Sequence, residues 1–163
     1  MTRPEPASCR ATPPPPSPAL RQAFEATHYE VEGPAPAVFR IGQDGPQVAG
    51  WLSKVGARSA CIVTAWNPFS REMPAEENAR RQQALLDRVE AAGLRCLPAR
   101  GRDPSGQWPP EDSLCVLDAS EAMLADWLRG FDQYAAVTVS ARAGCRLRWH
   151  PALRACPLRP ADA

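Results

Sequence analysis

Lysine is almost missing from this chain: of 19 basic residues only Lys54 is not arginine, and 18 acidic residues leave a net charge of +1. So even a balance gives no global field, which argues against gripping nucleic acid or an anionic membrane surface through bulk charge. Histidine is equally scarce. His28 and His150 are the only two and neither lies near a cysteine pair, so no zinc site or other metal is expected. The six cysteines include no C-x-x-C pair, and Cys61, Cys96, Cys115 and Cys145 sit in apolar, strand-like runs, where they read as small core residues. No run approaches the roughly 20 apolar residues of a membrane span, and the N-terminus lacks the apolar core of a secretory signal; the expected location is the cytoplasm. A Walker loop and a strand-coupled G-x-G-x-x-G are both missing, so ordinary nucleotide cofactors are not expected and none is assigned.

What is present suits one domain. A chain of 163 residues can bury on the order of 70% of its unfolded surface without disulfides or metal. Residues 1–16 are rich in proline, alanine and serine and close on Pro13-Pro14-Pro15-Pro16, which predicts a disordered or polyproline tail. Residues 17–150 are expected to form a single α/β domain, and residues 151–163 to fray.

Within the domain the pattern predicts an α/β fold, a small mixed sheet of about five to six strands with helices packed on it. Ser17 and Pro18 signal a helix start, with Leu20 and Phe24 on one face through Ala26. Strands are expected at Tyr29–Val31 and Ala37–Ile41. Val48, Trp51, Leu52 and Val55 keep helical spacing up to Gly56. Ser59–Val63 is too short for a helix and rich enough in β-branched residues to be a buried strand. Strand, helix and strand in succession suggest a right-handed crossover with parallel pairing. Pro74 opens the clearest helix, which Gly93 ends; another runs from Ser120 to Gly130. Leu94–Pro98 and Ser113–Leu117 are expected to be antiparallel, and Tyr134–Val139 and Cys145–Trp149 complete the strands.

The stretch Thr64-Ala65-Trp66-Asn67-Pro68 organises the site. Pro68 cannot donate to a ladder and pushes Asn67 out of the helical region, so the chain turns at the strand's end, where α/β proteins usually hold ligands. If the Leu94 strand runs in the same direction as the Cys61 strand, Asn67 and Glu111 meet on one sheet edge.

The combination of Phe39-Arg40-Ile41-Gly42, Thr64 to Pro68 with Ser70, Asn78 with Arg81, Gly101 with Asp103, then Trp108, Glu111, Ser113 and Gln133 resembles an uncharacterised bacterial family, domain of unknown function 3293. The resemblance covers roughly residues 28–140 and implies the same small α/β domain. It brings no established activity.

The candidate site therefore consists of Glu111, a general acid or base if desolvation raises its proton affinity, with Arg40, Asn67, Ser70, Asn78, Arg81, Asp103, Trp108 and Gln133 as ligand-binding groups. Asn67 and Asn78 donate and accept without charge, Arg81 and Arg40 would neutralise an anion, and Trp66 or Trp108 could stack on a flat molecule. No histidine lies in this set, which argues against a Ser-His-Asp or Cys-His nucleophile. Two readings follow. One is a domain binding a small polar, anionic or nucleotide-like ligand at a strand-end cleft; the other is a regulatory or interaction module whose polar network is structural. Whether a reaction is catalysed, and in what oligomeric state, does not follow from the residues.

Overall fold

The computed structural model describes residues 12–154. In chain order the elements are helix α1 (Pro18–Ala26), strands β1 (His28–Val31) and β2 (Ala37–Phe39), helix α2 (Gly45–Val55), strand β3 (Ser59–Val63), a 3-10 turn at Pro68–Ser70 and helix α3 (Ala75–Ala91). Strands β4 (Cys96–Arg102) and β5 (Glu111–Leu117), helix α4 (Glu121–Gly130), strands β6 (Ala135–Ser140) and β7 (Gly144–Trp149) and the short helix α5 (Pro151–Arg154) follow. The α/β class is as the pattern indicates. Residues 1–11 of the proline-rich head and 155–163 of the tail lie outside the described residues. Among residues 12–16, which form no helix or strand, Pro13 and Pro16 are buried. No helix of the described residues is long and apolar enough to cross a membrane.

The sheet has seven strands in the order β2-β1-β4-β5-β3-β6-β7 and curls into a half-barrel. Every neighbouring pair is antiparallel, which corrects the mixed sheet and the parallel pairing expected of the crossover; β2 and β3, joined by α2, run in one direction but are not neighbours. The reason is local. β2 folds straight back on β1, with Val31 opposite Ala37, and so ends at the sheet edge. Helix α2 then carries the chain past three strands to β3 instead of to a neighbour. β4 also runs beyond Pro98, where sequence reading stopped it. Val31 opposite Ala99 is the last register pair of β1 with β4, and the Glu32 N–H still donates to the Pro98 carbonyl at 2.9 Å, so Pro98 sits at the end of the ladder, where a proline interrupts few further bonds.

Alternation along the strands divides the core in two. Ala60 and Ile62 of β3, Cys115 and Leu117 of β5 and Val137 and Val139 of β6 face Val48, Trp51 and Leu52 of α2. The alternate residues Cys61, Val63, Leu114 and Val116 face Leu85 and Val89 of α3 and Leu124, Trp127 and Leu128 of α4. Leu85 and Leu128 have no exposed surface, and burial of each contributes roughly 1.5–3 kcal/mol. Cys61, Cys115 and Cys145 are buried, and burial pushes the thiols of Cys61 and Cys115 up to about 12. They are packing atoms.

The start of α2 is stitched to the β6–β7 turn. Asp44 and Gln47 form a capping box, the Cys145 N–H donates to the Gln43 carbonyl at 2.9 Å, and the Gly42 N–H donates to the Cys145 carbonyl at 3.0 Å. This contact leaves no room for a side chain: a methyl on Gly144, whose φ is +76°, would overlap the Gln43 carbonyl oxygen. Gly144→Ala is therefore expected to lower stability by roughly 2–4 kcal/mol. Gly50→Ala, inside α2 with nothing within 4 Å of the new methyl, should raise it by up to about 1 kcal/mol. Urea unfolding of both variants checks the pair, and equal effects would refute the close-approach argument.

Candidate functional site

The site begins where β3 runs out. Three non-glycine residues at the turn adopt positive φ: Asn67 at 47°, Phe69 at 47° and Ser70 at 58°. For Phe69 and Ser70 that backbone costs about 1–2 kcal/mol each, so the surroundings must impose it. Phe69 is buried against the Tyr134 ring at 5.3 Å, and its N–H donates to the Asp132 carbonyl at 2.6 Å.

Polar side chains fix the rest of the turn. Asn78, buried in the first turn of α3, accepts from the Asn67 backbone N–H and donates to the Asn67 side-chain oxygen, both at 2.9 Å. Arg81 Nε donates to the Ala65 carbonyl at 2.8 Å, and a terminal guanidinium nitrogen donates to the Phe131 carbonyl. Gln133 Nε2 donates to the Trp66 carbonyl at 2.9 Å and to the Phe131 carbonyl at 3.1 Å. The Gln82 side-chain oxygen accepts from the Ala65 N–H at 3.0 Å. Apart from the side-chain pair of Asn78 with Asn67, these bonds end on backbone groups of Ala65, Trp66, Asn67 and Phe131, of which Ala65 and Phe131 are buried.

The network leaves one outward-reaching group. Asn67 accepts from Asn78 and from the Met73 N–H on its oxygen and donates through Nδ2 to Glu111 Oε1 at 2.8 Å. Glu111 is the first residue of β5, and β3 and β4 both pair antiparallel with that strand. They therefore run in one direction, and their ends bring Asn67 and Glu111 to one edge of the sheet. Gly101 stands directly opposite Glu111 on β4, so no side chain covers the carboxyl from that strand. Burial pushes the Glu111 carboxyl above its ordinary value, against the opposing pull of the Asn67 hydrogen bond.

Glu111 lies on the wall of a cavity of about 720 Å³ between α1 and the sheet. Its inner surface is apolar, from Ile62, Ala135, Val137 and Leu147, and Leu20 and Phe24 of α1 cover it. Tyr29 also lines it and donates from its hydroxyl to the Phe24 carbonyl at 2.8 Å, tying α1 to β1; burial pushes that phenol up. Thr64, Asn67, Ser70 and Ser113 supply neutral polar atoms. The β4–β5 loop closes the side with Asp103, Gln107 and Trp108, whose side chain stays 63% exposed. Asp103 organises that loop, accepting from the Ser105 N–H and hydroxyl and from the N–H groups of Gln107 and Trp108 at 2.8–3.1 Å. Those bonds, led by the Ser105 hydroxyl, hold its carboxyl below the usual range.

Of the residues singled out in the sequence, Asn67, Ser70, Asp103, Trp108 and Glu111 thus share one cavity. Asn78, Arg81 and Gln133 stand behind it and hold the turn. Arg40 is exposed past the end of the edge strand β2 and does not line it, and neither does Trp66. Tyr29, Thr64, Glu72 and the apolar face of α1 were missed as cavity residues. Of these only α1 carried a signal, the Leu20 and Phe24 spacing, which does not say what the face covers. Among the described residues no group of three His, Cys, Asp or Glu is placed to hold a metal ion.

The fold and site define a curled-sheet α/β domain with a roofed cavity at one sheet edge. Residues 63–136 match the family described as Protein of unknown function (DUF3293), so the resemblance carried by the sequence motifs holds over that span. It takes in the Asn67 turn, α3, Trp108, Glu111 and Gln133; α1 and β1, which complete the cavity, lie outside it. No curated protein and no solved structure matches the chain.

Two outcomes test this geometry. Asn78→Leu strands the Asn67 N–H and should cost roughly 2–4 kcal/mol in urea unfolding. For Glu111 the sign follows from its raised folded value: the stability it contributes is complete below the unfolded carboxyl value and is lost as pH rises through the folded one. Glu111→Gln removes that loss, so its stability relative to wild type should improve between pH 4 and pH 7.5. A relative decline across the same interval would contradict a carboxyl dominated by burial.

Proposed function

We propose that the chain binds a small molecule in the cavity between α1 and the sheet, with its apolar body against the inner wall and a hydrogen-bond-donating end at Glu111. The observation that carries this is the pairing of a carboxyl with a largely apolar hollow of ligand size, about 720 Å³. One carboxyl oxygen is fixed by Asn67, and no hydrogen bond from a described residue reaches the other. Placed there, the same carboxyl could take a proton from a bound molecule or give one to it, which extends the proposal to general acid–base chemistry.

The anionic or nucleotide-like ligand suggested by the arginines loses support. Arg81 is committed to two backbone carbonyls and Arg40 stands away from the cavity, so neither offers charge to a phosphate or carboxylate there. The second reading, a non-catalytic interaction module, is favoured by one specific fact: Asn78, Arg81 and Gln133 spend their polar groups on the turn. A purely structural network would account for those three. It does not account for a carboxyl on a hollow wall.

Thermal unfolding of the full chain against a panel of small aromatic and aliphatic alcohols, amides and amines separates the two. A ligand at about a hundredfold excess over its Kd should raise Tm by roughly 5 °C or more. That shift should vanish in Leu20→Trp, which fills the cavity from the half-buried face of α1. No stabilising compound, together with strong destabilisation by Asn67→Ala, would leave the structural reading standing.

A further inference from the structure

The charge around the cavity is one-sided. Glu72, Asp103 and Glu111 line it, and among the described residues no arginine, lysine or histidine does. The ion pairs of the described residues lie elsewhere, as in Arg102 with Glu30 and Arg100 with Asp112, and none includes these three acids. Asp103 spends its oxygens on its own loop, and Glu72 is exposed at the rim. Glu111 is the inner carboxyl, and its protein partner is the neutral Asn67 amide. Carboxylates of one sign set in low-dielectric walls focus a negative potential into the hollow. The same walls carry π-faces. Phe24 belongs to the roof, and Trp108 is held largely exposed beside the opening by a loop that Asp103 keeps in shape.

We infer that the ligand of this cavity is a small amine, its protonated nitrogen seated on the Glu111 carboxyl and its apolar body lying against Phe24 and Trp108. The inference rests on the ligand-binding reading above and adds the charge of the ligand. An ammonium does what an alcohol or an amide does only in part: it neutralises the inner carboxylate, while the aromatic faces pack on the apolar body of any of the three. An organic acid would meet three like charges and no counter-ion. An ammonium also brings three donors, enough to engage the Glu111 oxygen that no described residue reaches and neutral acceptors such as Thr64 and Ser113.

The test uses three indoles of nearly equal size, tryptamine, tryptophol and indole-3-acetate, titrated into the isotope-labelled full chain and followed by amide resonances. Tryptamine is expected to bind at least about tenfold tighter than either analogue, with shifts concentrated at Thr64, Asn67, Gly101 and Glu111. Glu111→Gln should bring tryptamine to within about twofold of tryptophol. Trp108→Ala, an exposed position where folding is not at stake, should weaken tryptamine and tryptophol alike by removing a face on which the indole body packs. Equal affinities in the wild-type chain, or a preference for indole-3-acetate, would overturn the amine and leave the cavity as a binding site. No shift at the cavity with any of the three would overturn both.

Discussion

The reciprocal pair between Asn67 and Asn78 is the constraint on which the site depends. Left alone, a turn with Asn67, Phe69 and Ser70 all at positive φ would relax, because such backbone is disfavoured for residues with a Cβ. Asn78 prevents this by engaging both the main chain and the side chain of Asn67, each at 2.9 Å. Two hydrogen bonds made from one side chain to one residue fix orientation as well as position. The remaining Asn67 donor then points at Glu111, so a residue in the first turn of α3 determines how a carboxyl on β5 is presented. A buried amide with every donor and acceptor satisfied does this without the desolvation cost of a charge.

Arg81 and Gln133 belong to the same logic from the other side of the turn. Both reach the Phe131 carbonyl at the end of α4, and each also holds one carbonyl of the segment Ala65-Trp66. The turn is thereby clamped between α3 and the α4–β6 connection. A charged and an amide side chain that look like ligand groups in the sequence are instead the frame that keeps a strained segment in place. Such strain is held only where surrounding structure over-determines it.

Much of this was legible in advance, and the failures have identifiable causes. Two helices were readable because their caps are chemical signals: Ser17 and Ser120 each cap a helix through a side-chain oxygen, whereas α2 was read from its apolar spacing and Gly56. The meeting of Asn67 with Glu111 was readable only on the condition that β3 and β4 run in one direction, which their common antiparallel partner β5 satisfies. The parallel pairing of β2 with β3 did not form because nothing in the sequence states which strand β2 will pair with, and a hairpin to β1 is the shorter closure. Arg81 was misread because its partners are backbone carbonyls, which every residue carries and no pattern marks. A strand-end cleft was expected, but its roof was not legible. It depends on α1 resting over β1, β3, β6 and β7, and a helix face of two apolar residues does not reveal whether it meets protein or encloses a hollow.

The two sides of the cavity mouth differ in how far apart their bonded residues lie along the chain. The Asp103 carboxylate gathers N–H groups only two to five residues ahead, whereas Asn67 and Glu111 are 44 residues apart. Closing a short loop sacrifices little entropy and closing a long one sacrifices more. The tryptophan-bearing loop is accordingly self-templating, able to take its shape as soon as its own residues are available. The Asn67–Glu111 contact, in contrast, is assembled only when β3, α3 and β5 have docked, so the shape of the mouth is local information and the placement of its inner carboxyl is a property of the finished fold.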